Sequence, residues 1–172
     1  MEIDWKPFWL HPEIPRRGRS RDELLGERGG RVSEGLRRLA AEDGLELNPS
    51  EVVSDAHPAL EMTEFAREQG ALHPFHRAVM DAYWLNGRDI GDLGVLADCA
   101  AAAGLDREAA VLSFTHGTYT GLVVGTTQAA ARAGITGTPA WLINHHYLVM
   151  GAQPLQTLVE VVERVQAEES QG

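Results

Sequence analysis

The sequence predicts a layered α/β fold in which a large helical block separates one amino-terminal strand from a carboxyl-terminal β-hairpin and helix. Three observations support this prediction. Polar and apolar residues alternate near the amino terminus, apolar residues recur at helical spacing through the middle of the chain, and two short apolar runs precede a final amphipathic segment. A strand, helices, a hairpin and a helix in this order are typical of an α/β layered architecture.

The first ten residues are predicted to form a strand. Ile3 and Trp5 alternate with polar neighbours as far as Pro7, and β-branched and aromatic residues are enriched in strands. Pro7 cannot donate to a ladder, so it marks the end or the edge of this strand. The stretch from residue 11 to residue 18 holds two prolines and a glycine and is predicted to be an irregular connection.

Apolar residues at helical spacing predict a block of helices between the first strand and the hairpin. The first segment is interrupted by glycines, so it fits either one broken helix or two short ones. Gly70, Asn86-Gly87 and Gly104 stand where later helices should end. The predicted segments cover residues 21–41, 57–69, 74–85, 92–103, 106–114 and 119–133.

Strand character returns near the carboxyl terminus. Ala140–Asn144 and Tyr147–Met150 are predicted to form a hairpin closed by Asn144, His145 and His146. Pro154 is a favourable first residue for the final helix. We expect that helix to bury its apolar residues, which are Leu155, Leu158, Val159, Val161, Val162 and Val165.

Composition limits the classes of function. The chain has 172 residues, 44% of them hydrophobic, and a formal net charge of −10. That charge repels phosphate backbones, so we expect no nucleic-acid partner, and we interpret the four arginines between residues 16 and 21 as a solvated loop. No run approaches the roughly 20 apolar residues of a membrane span, and the first residues lack the pattern of a secretion signal. The sequence therefore predicts a cytoplasmic protein without a membrane partner.

The sequence contains one cysteine, Cys99. A single cysteine forms neither an intramolecular disulfide nor a dithiol redox centre nor a cysteine-based zinc site within one chain. Cys99 lies in an alanine-rich helical segment without a basic residue within one turn, so we predict a buried core residue rather than a reactive thiol.

No metal site is predicted. His73 and His76 have helical spacing, but the sequence positions no third ligand beside them. His145 and His146 are explained by the turn, because Asn and His tolerate positive φ better than most residues. We expect His57 and His116 to satisfy local hydrogen bonds, and we expect Glu61 and Glu64 to lie on a solvated helix face.

The segment Gly134-Ile135-Thr136-Gly137-Thr138-Pro139 resembles the cis-proline loop of DsbA-like proteins, in which G-[VI]-x-G-[TV]-P enters the third core strand. Gly151-Ala152-Gln153-Pro154 is similar to the S-G-A-Q-P motif of FrnE-type members, which are related to the 2-hydroxychromene-2-carboxylate isomerases. Trp5-Lys6-Pro7-Phe8 resembles the family's W-[RK]-P-F strand. Further matches at residues 87–90 and 96–98 resemble the family's helical insertion, and together the matches run from about residue 3 to residue 165.

The resemblance implies one thioredoxin-like domain over residues 1–172. Residues 1–18 and 134–168 would form the core, and residues 19–133 would form the helical insertion and the connecting helix. In this fold a cis bond before Pro139 leaves the backbone of Thr138 exposed to an extended peptide or to glutathione. The resemblance therefore implies a substrate-binding site at Thr138, Pro139 and Trp141, with glutathione as the one small molecule that it suggests.

The family activity is thiol-disulfide exchange, carried by a Cys-x-x-Cys motif, or a serine in the glutathione-dependent isomerases, that precedes the W-[RK]-P-F strand. Here only four residues precede Trp5, so we expect the first core strand and the Cys-x-x-Cys helix to be missing and assign no catalytic residue. The Trp5 strand then pairs directly with Ala140–Asn144, or a homodimer covers the exposed sheet edge.

Three hypotheses on function stay open at this point. The first is a redox-inactive module that binds a peptide or a small thiol. The second is an active oxidoreductase or isomerase whose amino-terminal segment lies upstream of Met1. The third is a structural remnant, and analogy of fold does not choose among them.

Overall fold

We describe a computed structural model of the chain that covers residues 2–24 and 34–169. The chain divides into two compact units, Met1–Thr127 and Gln128–Gly172. The first unit is mainly helical, and the second contains a hairpin and the last helix. Part of the predicted helical segment 21–41, residues 25–33, lies outside the described residues. Residues 21–24 of that segment are described and are helical.

The first unit has a very short antiparallel pair. Strands β1 (Arg19–Ser20) and β2 (Val52–Val53) pair Arg19 with Val53 and Ser20 with Val52. Gly18 leads into this pair with φ of +70°, a left-handed conformation that glycine adopts without a Cβ penalty. A Cβ at Gly18 would lie 2.2 Å from Cγ1 of Val52. The turn therefore requires glycine for both its φ and its space.

Besides the helical residues 21–24, six helices of the described residues begin in the first unit. Periodicity and cap residues predicted five of them to within about two residues at each end. The division between the two units falls inside the sixth helix. They are α1 (Glu34–Glu42), α2 (His57–Glu68), α3 (Leu72–Trp84), α4 (Leu93–Ala102), α5 (Arg107–Thr115) and α6 (Thr120–Arg132).

Short polar residues fix two of these helix starts. The Asp92 carboxylate accepts hydrogen bonds from the amides of Gly94 and Val95, and the Asp106 carboxylate accepts one from Ala109. Such caps satisfy backbone donors that have no partner inside the helix. Both aspartates stand in the sequence directly before a helical pattern that the apolar spacing predicted.

The core of the first unit lies among α2, α3, α4 and α5. Phe75 and Met62 are its largest fully buried apolar side chains, and Leu96 joins them from α4. Small residues fill the remaining space, so these helices approach one another closely. The buried members of the cluster are Ala59, Met62, Ala66, Phe75, Val79, Ala82, Ile90, Leu96, Cys99, Ala100 and Ala110.

The predicted strand at residues 2–10 is wrong for the described structure, in which this segment pairs with no strand. Its backbone groups bond to side chains instead of a ladder. The Trp5 carbonyl accepts a hydrogen bond from Arg67, and the Trp9 amide donates to Oγ1 of Thr127 at 2.9 Å. The alternation of polarity does not correspond to a buried face here, because Ile3 and Trp5 are both exposed.

The predicted solvated arginine loop is also wrong in part. Nη1 of Arg16 donates to the buried carboxylate of Asp55 at 3.0 Å. Arg21 donates to the Ser50 carbonyl and to the Tyr83 hydroxyl, at 3.0 and 2.7 Å. Two of the four arginines therefore anchor the segment after residue 11, because they meet acceptors that are distant in sequence.

The second unit contains the predicted hairpin. Strands β3 (Ala140–Ile143) and β4 (Tyr147–Met150) pair antiparallel, with Trp141 opposite Val149 and Leu142 opposite Leu148. Asn144 and His145 have φ of 49° and 61° in the turn, as their tolerance of positive φ suggested.

Helix α7 (Leu155–Glu169) follows Pro154. The prediction that it buries all of its apolar residues is wrong, because Leu155 is 76% exposed and Val159 is also exposed. Val165 is buried, and the remaining three are half-buried. The apolar residues of α7 spread over more of the helix surface than its one buried face includes, so some of them stay exposed.

Within the described ranges, no helix combines the length and the apolar character needed to cross a membrane.

Replacing Gly18 with alanine is expected to destabilise the chain more than replacing Gly70. Both glycines have φ near +70°, but nothing lies within 4 Å of a Cβ at Gly70. Gly70→Ala should cost about 1–2 kcal/mol for its conformation alone. Gly18→Ala should add about 1–3 kcal/mol from overlap with Val52. Denaturant unfolding of both variants measures the difference, and equal midpoints would contradict the role given to Gly18.

Candidate functional site

The Thr138–Pro139 loop enters strand β3 in the second unit. The Thr138–Pro139 peptide bond is cis, and both residues are exposed. The Pro139 carbonyl accepts a hydrogen bond from the Gly151 amide at 2.8 Å. This bond ties the loop to the end of β4 and leaves the peptide unit before Pro139 at the surface.

Trp141 follows two residues after Pro139 on β3 and is half-buried. Pro139 lies directly before β3, Trp141 is the second residue of that strand, and Thr138 precedes Pro139 in the loop. The three residues predicted as a binding site are thus contiguous, on a fixed strand and an exposed loop.

Cys99 does not belong to this loop. It lies in helix α4 among core residues and is 4% exposed. Burial raises the pKa of the Cys99 thiol, Arg88 lowers it, and Asp98 and Asp81 raise it further. Because thiol exchange requires an accessible thiolate, this environment suits a packing residue. The structure thus agrees with the sequence prediction for Cys99.

The histidine pairs do not assemble a metal centre. Among the residues that the structure describes, no group of three or more potential ligands is placed to hold a metal ion. The His76 ring lies 5.5 Å from the Trp5 ring, and burial together with the charge of His73 lowers the pKa of His76. Nδ1 of His146 lies 2.6 Å from the Asn144 carbonyl within the hairpin turn.

The prediction for Glu61 and Glu64 is wrong, because the structure buries both. Their side chains are 0% and 5% exposed on helix α2. The Glu61 carboxylate accepts hydrogen bonds from the Thr120 hydroxyl at 2.6 Å and from the Tyr119 amide at 3.2 Å. Glu64 accepts a bond from Nε of Arg67 at 2.9 Å. A buried carboxylate persists only with such partners.

His57 completes the surroundings of Glu61. Its Nε2 lies 2.9 Å from Oε1 of Glu61, although the two atoms do not have hydrogen-bond geometry. His57 Nε2 is thus buried without a hydrogen-bond partner. The imidazole stacks on Trp9 with a centroid separation of 4.3 Å and meets the edge of Phe114. We call Trp9, His57, Glu61, Tyr119 and Thr120 the Glu61 cluster.

Tyr119 carries a second contact beside this cluster. Its hydroxyl donates a hydrogen bond to the Glu68 carboxylate. Burial, the hydrogen bond to Glu68 and the nearby carboxylates raise the pKa of Tyr119 to about 12. One side of helix α2 thus presents three glutamates that accept hydrogen bonds, which are Glu61, Glu64 and Glu68.

Sequence reasoning missed the Glu61 cluster because its donors are remote in the chain. Thr120 and Tyr119 lie 59 and 58 residues after Glu61. One local signal was available, since His57 and Glu61 stand four residues apart and face the same way on a helix. That spacing is equally common on solvated faces, so it does not indicate burial.

The two regions differ in what they offer chemically. The Thr138–Pro139 loop exposes backbone donors and acceptors to an incoming chain. In the Glu61 cluster the carboxylate accepts hydrogen bonds from Tyr119 and Thr120 and so holds α2 to the start of α6, whereas Trp9 Nε1 and His57 Nε2 are buried without a hydrogen-bond partner. A ligand therefore has access to the loop, and the cluster supports the fold.

The chain matches the family model described as DSBA-like thioredoxin domain over residues 1–163. A solved structure of a probable DsbA oxidoreductase from Streptomyces coelicolor is similar in fold, with a TM-score of 0.84 and 22% sequence identity. That match covers 95% of this chain and 74% of the other. No curated protein shows significant sequence similarity to the chain.

Removing the Thr120 hydroxyl is expected to destabilise the chain. Thr120→Val takes one of two hydrogen-bond donors from the buried Glu61 carboxylate, which should cost about 1–3 kcal/mol. Thr115→Val is the matched control, because the Thr115 hydroxyl is exposed and donates only to the Val111 carbonyl of its own helix. That control should cost less than about 0.5 kcal/mol. Thermal unfolding of both variants tests the assignment, and equal losses would contradict it.

Proposed function

Because the chain belongs to the family of DSBA-like thioredoxin domains, we propose that it is a redox-inactive binding module of that family. In this proposal the Thr138–Pro139 loop and Trp141 bind an extended peptide or a small thiol such as glutathione. The observation that carries the proposal is the contrast between an exposed loop and a buried, lone thiol. The first is suited to binding, and the second is unsuited to exchange.

The exposed loop supports the binding part of the proposal. Thr138 and Pro139 are both accessible, while the hydrogen bond from Gly151 to the Pro139 carbonyl holds their backbone in place. A fixed backbone loses little conformational freedom when a ligand pairs with it. Trp141 adds a half-buried aromatic surface beside the loop, and aromatic residues contribute strongly to recognition.

The state of Cys99 supports the redox-inactive part. Disulfide exchange proceeds by attack of a thiolate, and its rate depends on thiolate fraction and on access. Burial reduces both for Cys99, since it raises the pKa and leaves 4% of the residue exposed. A reducing compartment such as the cytoplasm suits an unpaired thiol of this kind.

The distribution of charge indicates the kind of ligand. The chain carries a net charge of −10, yet residues 133–159 contain no Asp, Glu, Lys or Arg. The loop and the hairpin thus belong to an uncharged segment of an acidic protein, with Glu168 of α7 bound to the Tyr147 hydroxyl. Neutral or basic peptides should approach it more readily than acidic ones or than glutathione, which is an anion, because the overall field repels anions.

In an insulin assay with dithiothreitol, the purified chain is expected to leave the rate of disulfide reduction at its uncatalysed value. Cys99→Ser should behave like the native chain, because the buried thiol takes no part. Reagents that alkylate thiols should modify Cys99 rapidly only after denaturation. Turnover that disappears in Cys99→Ser would show that this thiol is catalytic and would overturn the proposal.

Blocking the loop is expected to weaken binding of glutathione or of an extended neutral peptide. Thr138→Arg places a long side chain over the exposed loop, and the Kd measured by calorimetry should rise at least tenfold, or about 1.4 kcal/mol. Thr136→Arg is the matched control, since Thr136 is an exposed threonine two residues earlier. Its Kd should stay within a factor of two. An unchanged Kd in both variants would place the ligand elsewhere.

A further inference from the structure

Helix α3 ends in a turn that contains the dipeptide Asn86-Gly87. The Asn86 amide donates to the Asp81 carbonyl at 3.0 Å, and the Arg88 amide donates to the Ala82 carbonyl at 2.8 Å. Between these two bonds, the Gly87 amide has no hydrogen-bond acceptor among the residues that the structure describes. The turn therefore leaves one backbone N–H unpaired directly after an asparagine.

Both residues of this dipeptide are accessible to solvent. Asn86 is exposed, and Gly87 is half-buried with φ of +62°. Because glycine has no Cβ, no side chain on residue 87 shields its nitrogen from the asparagine before it. Nδ2 of Asn86 donates to the Asp81 carbonyl at 3.0 Å. That bond involves the nitrogen of the side-chain amide rather than its carbon, Cγ.

We propose that Asn86-Gly87 is a site of spontaneous covalent modification, in which Asn86 becomes isoaspartate and aspartate. The Gly87 nitrogen loses its proton to a base in the solvent and attacks Cγ of Asn86, which forms a C–N bond and a cyclic succinimide. The Cγ–Nδ2 bond breaks, and Nδ2 takes up a proton and leaves as ammonia. Water then adds to either carbonyl carbon of the ring. Ring opening gives isoaspartate or aspartate, with no change in oxidation state.

The other two asparagines of the chain, Asn48 and Asn144, suit this chemistry less well. Asn48 precedes Pro49, whose nitrogen has no proton to lose. Asn144 precedes His145, whose side chain crowds the nitrogen that would attack. Asparagine is among the thermolabile residues of proteins. In this chain the neighbouring residue therefore selects Asn86.

The modification replaces a hydrogen-bond donor with a negative charge at the carboxyl-terminal end of α3. Nδ2 no longer donates to the Asp81 carbonyl. The carbonyls at this end of a helix carry partial negative charge, so an anion is unfavourable there. The Asp81 carboxylate, which lies 4.0 Å from Arg77, already brings one negative charge to the last turn. The product therefore weakens the end of α3.

Isoaspartate has a further effect, because it adds a methylene group to the main chain between residues 86 and 87. Arg88 follows directly. Its amide bonds to the Ala82 carbonyl, and its guanidinium donates to Asp98 of α4 at 2.6 Å. A longer main chain shifts Arg88 relative to both partners, so the link from α3 to α4 loosens. The inference goes beyond the proposed function and does not depend on it, because this turn takes no part in the Thr138–Pro139 loop.

The test is a peptide map of the full chain before and after incubation at mildly alkaline pH. Cleavage after arginine places the three asparagines in separate peptides, residues 39–67, 78–88 and 133–164. Mass spectrometry detects the change from amide to acid, and chromatography separates isoaspartate from aspartate. Both products are expected in the peptide 78–88, at a rate several-fold above that of the peptide with Asn144. The peptide with Asn48 is expected to stay unchanged over the same time.

Gly87→Ala is expected to slow the conversion of Asn86 several-fold, because a Cβ crowds the attacking nitrogen. Gly104→Ala is the matched control, since Gly104 also has a positive φ, follows a helix and has nothing within 4 Å of a Cβ. This control should convert Asn86 at the native rate, and circular dichroism checks that both variants are folded. An equal rate in folded Gly87→Ala would overturn the inference.

A comparison of the native chain with the urea-denatured chain needs no variant, so it decides even where Gly87→Ala does not fold. Asn86 that keeps its amide in the native chain, but loses it in the denatured chain, would overturn the inference because the turn would then protect it. Conversion to aspartate without isoaspartate would also overturn it, since a succinimide opens to both.

The effect on α3 is measured with Asn86→Asp, which carries the charge of the product. This variant is expected to unfold at a lower temperature than the native chain. Asn86→Ala removes the donor without adding the charge, so its loss should be smaller. Native thermal stability of Asn86→Asp would contradict the effect that is assigned to the modification.

Discussion

The buried carboxylate of Glu61 is the constraint on which the first unit depends. A side chain with no solvent exposure loses its hydration, and leaving a buried polar group without one of its hydrogen-bond partners costs about 1–3 kcal/mol. The Tyr119 amide and the Thr120 hydroxyl compensate for that loss, at 3.2 and 2.6 Å. Helix α6 therefore begins where α2 presents its acceptor. His57 stacks on Trp9 and meets the edge of Phe114 beside this carboxylate.

Other side chains of helix α2 place the amino-terminal segment. Residues 2–10 have no strand partner among the described residues, yet they are held. Arg67 bonds to the Trp5 carbonyl and to Glu64, while Trp9 covers His57. Two side chains of helix α2, Arg67 and His57, thus hold this segment in place. The local alternation of polarity predicted neither its partners nor its burial, because Ile3 and Trp5 are exposed like their polar neighbours.

Sequence information predicted most of the helices and the hairpin but only part of the site. Helices α2 to α6 follow from local causes: apolar spacing, the aspartate caps of α4 and α5, and glycines such as Gly70. The Thr138–Pro139 loop is also local, so a motif was sufficient to find it. Burial of Glu61 and Glu64 depends on donors that the fold brings from residues 67, 119 and 120. The two-residue strands β1 and β2 are too short to leave a periodic signal.

The most direct test of this account is hydrogen exchange at the Tyr119 amide. That amide lies just before helix α6, where backbone donors have no helical acceptor, and its bond is to Glu61. The account predicts exchange only through global unfolding, as slow as that of core amides in α2. Exchange as rapid as in an unstructured peptide would contradict it, because Glu61 would then not hold the start of α6.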